Sequence, residues 1–227
     1  MNNLFYTANV KGENLTLEEQ EAVHCSLVLR KKVGEIIRAI DGQGNLYKCG
    51  IDKMYKRIVE CTILDSEFHE KSENITIAIA PTKNRDRLEW MIEKLVEIGS
   101  NKIILMNTSN TERTRTNTDR LEKKIISAVK QSLRFYVPKL LEMEFKDVIA
   151  LDIQSKFIAH CYDDFPRDIG ASDTSSNQLI LIGPEGDFSK NEVQAAFDLG
   201  FKGLDLGNYR LRTETAAIVA LSRFQKI

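Results

Sequence analysis

Residues Ile75-Thr76-Ile77-Ala78-Ile79-Ala80 form a nearly continuous apolar run ended by Pro81, and no other stretch limits the possible folds so tightly. A run with no polar alternation fits a strand buried on both faces. Such a strand needs helices to cover it. The next segment supplies one: Leu88, Met91, Ile92, Leu95 and Val96 follow the i, i+3, i+4, i+7, i+8 rule, and Gly99 stands where the helix would end. The alternation continues through Lys102 to Met106, the amphipathic stretch Asp119 to Leu133 (Ile125, Ile126, Val129 and Leu133 on one face), Lys156 to Cys161, and Leu179 to Ile182. Repeated strand and helix units predict an α/β domain with a parallel sheet over residues 74–227.

Residues 1–73 have a different texture and read as a small β-rich module. Thr16-Leu17-Glu18-Glu19 has the Ser/Thr-x-x-Glu form of a capping box, which predicts a short helix running towards Ser26. Gly34 to Ile40 gives way to Asp41-Gly42-Gln43-Gly44 before Asn45 to Ile51, the pattern of a hairpin whose glycines can take positive φ. Val59, Cys61 and Ile63 alternate with polar neighbours and mark another half-buried strand. Strands this short suggest a small barrel. The polar stretch Ser66 to Asn74 reads as the linker between the two domains.

A chain of 227 residues, 42% apolar and 29% charged, can bury two cores and is not disordered in composition. Its longest apolar runs fall far short of the ~20 residues that cross a bilayer. Its first residues carry neither a basic leader nor a long apolar stretch, so a cytoplasmic location and no membrane partner are expected. Cys25, Cys49, Cys61 and Cys161 form no C-x-x-C pair and have no histidine at zinc-ligand spacing, so isolated buried thiols are expected and no metal. The net charge of −1 does not advertise a polyanion partner, but its distribution is uneven. Residues 74–146 carry fourteen lysines and arginines against nine acids, a local excess that could meet phosphates or form a solvated helix face.

Two loops are the candidates for a ligand site, the first readable equally as an ordinary strand-to-helix turn and the second as a capped helix start. In Leu179-Ile180-Leu181-Ile182-Gly183-Pro184-Glu185-Gly186-Asp187-Phe188-Ser189-Lys190-Asn191-Glu192 a buried strand enters a glycine-bearing turn, and Ser189 with Glu192 makes a capping box for the next helix. The carboxyl end of a parallel strand is where open α/β sheets bind ligands, and glycine there lets a flat ligand lie against the backbone. In Leu206-Gly207-Asn208-Tyr209-Arg210-Leu211-Arg212-Thr213-Glu214-Thr215-Ala216 another glycine turn precedes four polar residues and the small, apolar start of a helix, for which Thr213 or Thr215 could be the cap. No G-x-G-x-x-G occurs, which disfavours a Rossmann-type site.

The pair of loops, in this order, resembles the RsmE family of SPOUT-class RNA methyltransferases. Further family-like stretches are Lys94 with Glu97-Ile98-Gly99, Glu112-Arg113, Gln131-Ser132 with Arg134 and Pro138, and His24 through Val28-Leu29-Arg30 to Val33-Gly34, so the resemblance covers nearly the whole chain. Asp187 stands where many members have a further glycine, Asn208-Tyr209-Arg210 replaces the commoner Pro-Arg-Ile, and Cys25 takes a place often held by histidine. The resemblance implies a PUA-like RNA-binding β-barrel over 1–73 and a SPOUT α/β domain with a trefoil knot over 74–227. It also implies a homodimer and methylation of N3 of a uridine in small-subunit (16S) ribosomal RNA, free or in the assembled subunit. S-adenosyl-L-methionine would be held by Ile182, Gly183, Pro184, Glu185, Gly186, Leu206, Gly207, Leu211, Arg212, Thr213, Thr215 and Ala216. A SPOUT enzyme acting on ribose or transfer RNA, and a non-catalytic RNA-binding assembly factor, are the alternatives.

N3 of uridine must lose a proton as it accepts the methyl group, so a base or an anion-stabilising cation is needed. Arg212 is the candidate for the anion, and Glu214 and Glu97 are the candidate bases. Arg30, Lys83, Arg85, Arg113, Gln131 and Arg134 are the expected RNA contacts. Trp90 reads as a packing residue rather than a stacking platform. The helix from Ala216 to Phe224 is apolar nearly all round and is the expected dimer element.

Overall fold

The computed structural model describes residues 4–71, 74–112, 116–168 and 177–225. They fall into two compact units: one holds the described residues through Lys71 together with Ile126–Val137, the other holds the remainder.

The first unit is built on a six-stranded mixed sheet of β1 (Leu4–Tyr6), β2 (Val10–Lys11), β3 (Asn14–Glu18), β4 (Ile36–Ile40), β5 (Asn45–Met54) and β6 (Ile58–Phe68), in the order β1-β4-β5-β6-β3-β2. Only β1 and β4 pair in parallel. Alternate residues point inward, as period-2 patterning requires: Leu15 and Leu17 of β3, Ile37 and Ala39 of β4, and Val59 and Cys61 of β6 meet Phe5, Cys49 and Ile51 in one core. The expected hairpin joins β4 to β5. Gly42 and Gly44 take φ of +75° and +105°, and the Asp41 carboxylate accepts from the Gln43 N–H at 2.8 Å and the Asn45 N–H at 3.2 Å.

The segment Ile126–Val137 closes against this hairpin. The Gly44 N–H donates to the Phe135 carbonyl at 3.1 Å, the Val137 N–H to the Gly42 carbonyl at 3.0 Å, and the Tyr136 hydroxyl to the His69 carbonyl at 2.8 Å.

Thr16 caps no helix, because it lies within β3, paired with Glu60 of β6; α1 (Glu19–Val23) starts after Glu18 without a side-chain cap and continues as a π-helical turn over His24–Val28. The stretch from Ser66 is not all linker, since β6 runs on to Phe68 against Asn45. Of the four thiols, Cys161 is exposed; Cys25, Cys49 and Cys61 are buried, and burial pushes them up to about 11, 11 and 12.

The second unit carries β7 (Asn74–Ile79), β8 (Lys102–Asn107), β9 (Lys139–Glu144), β10 (Ser155–Ala159), β11 (Asn177–Ile182) and β12 (Lys202–Leu204). They form one sheet in the order β12-β10-β11-β7-β8-β9, with every pair parallel. Ile75 to Ala80 are all buried, as their unbroken apolar run requires. The helices are α2 (Arg85–Ile98), α3 (Thr118–Gln131, whose last turns belong to the first unit), α4 (Phe145–Ile149), α5 (Lys190–Asp198) and α6 (Thr213–Phe224). Asn84 caps α2, accepting from the N–H groups of Asp86 and Arg87, and Gly99 ends it with φ +126°. Leu88, Met91, Ile92, Leu95 and Val96 are buried as the spacing predicts, but Trp90 is 47% exposed: one residue before Met91, it points off the apolar stripe. Among the described residues no helix is long and apolar enough to cross a membrane, and no group of three metal-ligating side chains is assembled.

Candidate active site

Strand order decides where the site lies. β10 stands between β11 and β12, with Ala159 level with both Ile182 and Leu204, so the three strands deliver their following loops to one place. Those loops line a half-open cavity of about 590 Å³. Ten of the twelve residues expected to hold cofactor line it: Ile182, Gly183, Pro184, Glu185, Leu206, Gly207, Leu211, Arg212, Thr213 and Ala216. Gly186 and Thr215 do not. Residues outside the two expected loops complete the wall, namely Ala159, His160, Cys161 and Arg167 around the end of β10, with Leu204 and Asp205, while Asp187, Asn208, Tyr209 and Arg210 line it from within those loops.

The loop after β11 is held from several sides. Asp187 adopts φ +62°, a left-handed conformation that glycine takes at no steric cost, and its N–H donates to the Pro184 carbonyl at 2.9 Å. Its carboxylate accepts from the Cys161 N–H at 2.9 Å and from the Phe188 N–H at 2.7 Å. Gly183, which lines the cavity, is also tightly packed on its other side. A Cβ there would lie 3.0 Å from the ring of Phe188, a fully buried core residue.

The Ser189 and Glu192 capping box forms as predicted and opens α5. Glu192 also accepts from the Ser109 N–H at 2.9 Å. Burial alone would raise its carboxyl; the hydrogen bonds from Ser109 and Ser189 outweigh that and hold it below the usual carboxylate range.

The loop after β12 turns at Gly207, φ +116°, whose N–H donates to the Asp205 carboxylate at 2.7 Å. Arg210 ties the two loops together by donating to the Glu185 carbonyl at 3.3 Å. The helix α6 begins at Thr213 with Arg212 as the residue before it, and neither Thr213 nor Thr215 caps it. His160 is 5% exposed within a cluster of Tyr162, Phe165 and Phe197. Burial lowers its pKa below the ordinary histidine value, with Asp187 opposing and Arg167 reinforcing the shift.

A second cavity, a shallow and widely open depression of about 440 Å³, lies between α2 and the start of α6 and is lined by Asn84, Asp86, Arg87, Trp90, Arg212, Glu214 and Thr215. Arg212 lines both cavities. The Glu214 carboxylate is buried, with the Arg87 Nε 3.7 Å away. Glu97 lines neither cavity; it lies in the last turn of α2 and accepts from the Lys94 ammonium at 2.8 and 2.9 Å.

The expected RNA contacts fall in both units. Lys83 is paired with Glu112 at 3.0 Å and Arg85 with Glu89 at 3.4 Å. Arg30, Gln131 and Arg134 belong to the first unit. Arg30 and Gln131 are exposed, whereas burial pulls the Arg134 guanidinium down to about 10. Arg113 lies outside the described residues.

Comparison with known proteins agrees with this arrangement. Residues 69–225 match the model of an RNA methyltransferase domain. The Ribosomal RNA small subunit methyltransferase E of Mesomycoplasma hyopneumoniae is 33% identical over 68% of this chain and 70% of its own length. A probable rRNA-methyltransferase from Porphyromonas gingivalis is 37% identical with a TM-score of 0.88, covering 96% of this chain and 95% of that one. The Ribosomal RNA small subunit methyltransferase E from Neisseria gonorrhoeae, solved with S-adenosyl methionine bound, is 26% identical with a TM-score of 0.85 over 97% and 95% of the two chains. Two glycine turns converging at the carboxyl edge of a parallel sheet, in a chain alike over almost its full length to such proteins, make this protein a member of the RsmE family of RNA methyltransferases.

Proposed function

We propose that this enzyme transfers the methyl group of S-adenosyl-L-methionine to N3 of a uridine in small-subunit ribosomal RNA. The observation that carries the reading is the convergence of the loops after β10, β11 and β12 on one cavity large enough for a nucleoside-sized ligand. The lining suits that cofactor. Ile182, Leu206, Leu211 and Ala216 offer apolar surface, Glu185, Asp187 and Asp205 offer negative charge to a sulfonium, and the space where a Gly207 Cβ would stand is open. The relative from Neisseria gonorrhoeae binds the same molecule.

When bound, the sulfonium supplies an electrophilic methyl group, so the protein's task is to align the acceptor and manage one proton. Arg212, lining both cavities, is placed to stabilise negative charge on the uracil as N3–H is lost. Glu214, buried in the neighbouring cavity, is the candidate base that its position favours over Glu97. The target base must leave any stack to reach such a site.

The wider assignment follows the same family. The second unit is a SPOUT domain whose two loops form a trefoil knot, the first is a PUA-like barrel that contacts RNA through the exposed Arg30 and Gln131, and the enzyme works in the cytoplasm as a homodimer joined through α6. Calorimetry with S-adenosylmethionine is the first test. Saturable binding by the wild-type chain, lost on Ala216→Phe with an unchanged melting temperature, is expected; undiminished binding by the variant removes the cofactor from this cavity. Nucleoside mass spectrometry of treated small-subunit RNA should show 3-methyluridine, and a 2′-O-methyl nucleoside in its place overturns the base-directed reading.

A further inference from the structure

The second cavity has a chemistry that a cofactor-binding role leaves unexplained. Trp90, the chain's only tryptophan, keeps 47% of its surface accessible although its neighbours Leu88, Met91 and Ile92 are buried. A half-open indole forfeits part of the burial that so large a ring would otherwise contribute. Arg87, one turn before it on α2, shares the lining with Arg212 and Glu214 at the start of α6, and the Arg87 Nε stands 3.7 Å from the Glu214 carboxylate.

An unpaired pyrimidine asks for this combination: a π surface against its face, cationic donors for its carbonyl oxygens, and an acceptor for its ring N–H. Arg212 lies at the junction with the larger cavity, so a base seated here stands next to the compartment assigned to the methyl donor.

We propose that this cavity receives the extruded target pyrimidine, stacked on Trp90, with Arg87, Arg212 and Glu214 reading its edge. The proposal rests on the larger cavity holding the methyl donor. It makes Trp90 a substrate-binding residue rather than a packing one, and it gives α2 a direct part in the site.

Because Trp90 is the only indole, its fluorescence reports on this cavity without background from another tryptophan. Titrating the full chain, saturated with S-adenosylhomocysteine, with uridine 5′-monophosphate should quench the emission saturably, and Arg87→Ala should weaken the midpoint. In steady-state assays on small-subunit RNA, Trp90→Leu should lower kcat/KM roughly ten- to a hundredfold, the loss of one base–aromatic stack. Trp90→Phe should recover most of it, and both variants should bind S-adenosylmethionine as the wild type does.

No saturable quenching at tens of millimolar nucleotide, or a Trp90→Leu enzyme with unchanged kcat/KM, overturns the proposal. So does a Trp90→Leu chain that changes from dimer to monomer while wild-type emission ignores the nucleotide, since the face is then covered by a second copy. Failure of the wild type to bind S-adenosylmethionine would sink the methyltransferase reading instead, and the quenching experiment, repeated without S-adenosylhomocysteine, would still decide what the cavity accepts.

Discussion

His160 enters the site from the end of β10 as a buried imidazole among aromatic rings, and its lowered pKa turns into a pH dependence whose sign can be worked out. The unfolded chain takes up this proton near the ordinary histidine value of ~6.5, whereas the folded chain resists it. The group's contribution is therefore complete above that value and is lost as pH falls through the lower folded value. The melting temperature should drop between pH 7 and pH 5, and His160→Leu should flatten the drop; an equally steep fall in the variant would assign the effect to another group. Asp187 offers a second test at this scale, because its φ of +62° suits glycine while its carboxylate holds the Cys161 and Phe188 N–H groups. Asp187→Ala loses those bonds and keeps the strain, so chemical denaturation should show a loss of about 1–3 kcal/mol. Asp187→Gly relieves the strain and should cost less. The loops at Gly183 and Gly207 are legible in sequence because the first follows an unbroken apolar run and each leads into a helix start. His160 and Cys161 are not, since only the placing of β10 between β11 and β12 brings them to the cavity, and strand order leaves no local mark.

At the scale of elements, the same four-residue pattern meets two fates. Ser189-x-x-Glu192 caps α5, and Thr16-x-x-Glu19 caps nothing. The difference is tertiary. Thr16 is recruited into the ladder between β3 and β6, where backbone pairing with a neighbouring strand outweighs a local cap, whereas Ser189 follows a loop that no strand competes for. The cap at α5 also anchors Ser109, from the loop after β8, so it braces two loops at the sheet's carboxyl edge. Glu192→Ala should cost about 1–2 kcal/mol in a denaturant titration. Because the Glu192 pKa is depressed in the fold, its contribution is present above the unfolded carboxylate value and is lost as pH falls through the folded one; the wild-type advantage over Glu192→Ala should shrink in acid. An advantage that stays constant from neutral pH to pH 3 would mean the carboxylate's charge is not what matters. The central strands announced themselves by unbroken apolar runs, but β9, mostly exposed at one edge, and β12, three residues long at the other, carry too little patterning to be read.

The whole molecule is divided in a way that no linear reading could anticipate, because the first unit includes Ile126–Val137 from far along the chain. Its dependence on that segment can be estimated. The hydrogen bonds from Gly44, Val137 and Tyr136 would be lost with it, as would the stack of Phe135 on His69, ring centroids 3.7 Å apart, and the ion pair of Lys130 with Glu21. At ~1 kcal/mol for each hydrogen bond and about as much for the stack, the loss approaches ~4 kcal/mol. A domain of this size has ~5 kcal/mol or little more to lose. A fragment ending at Lys71 should therefore unfold without a cooperative transition at room temperature, and the same fragment joined by a flexible linker to residues 126–137 should regain one. Calorimetry on the two fragments decides the matter: melting temperatures within a few degrees of each other would show that the β-rich unit stands without its borrowed segment, and that the apparent division at the polar stretch after β6 is a true boundary of stability.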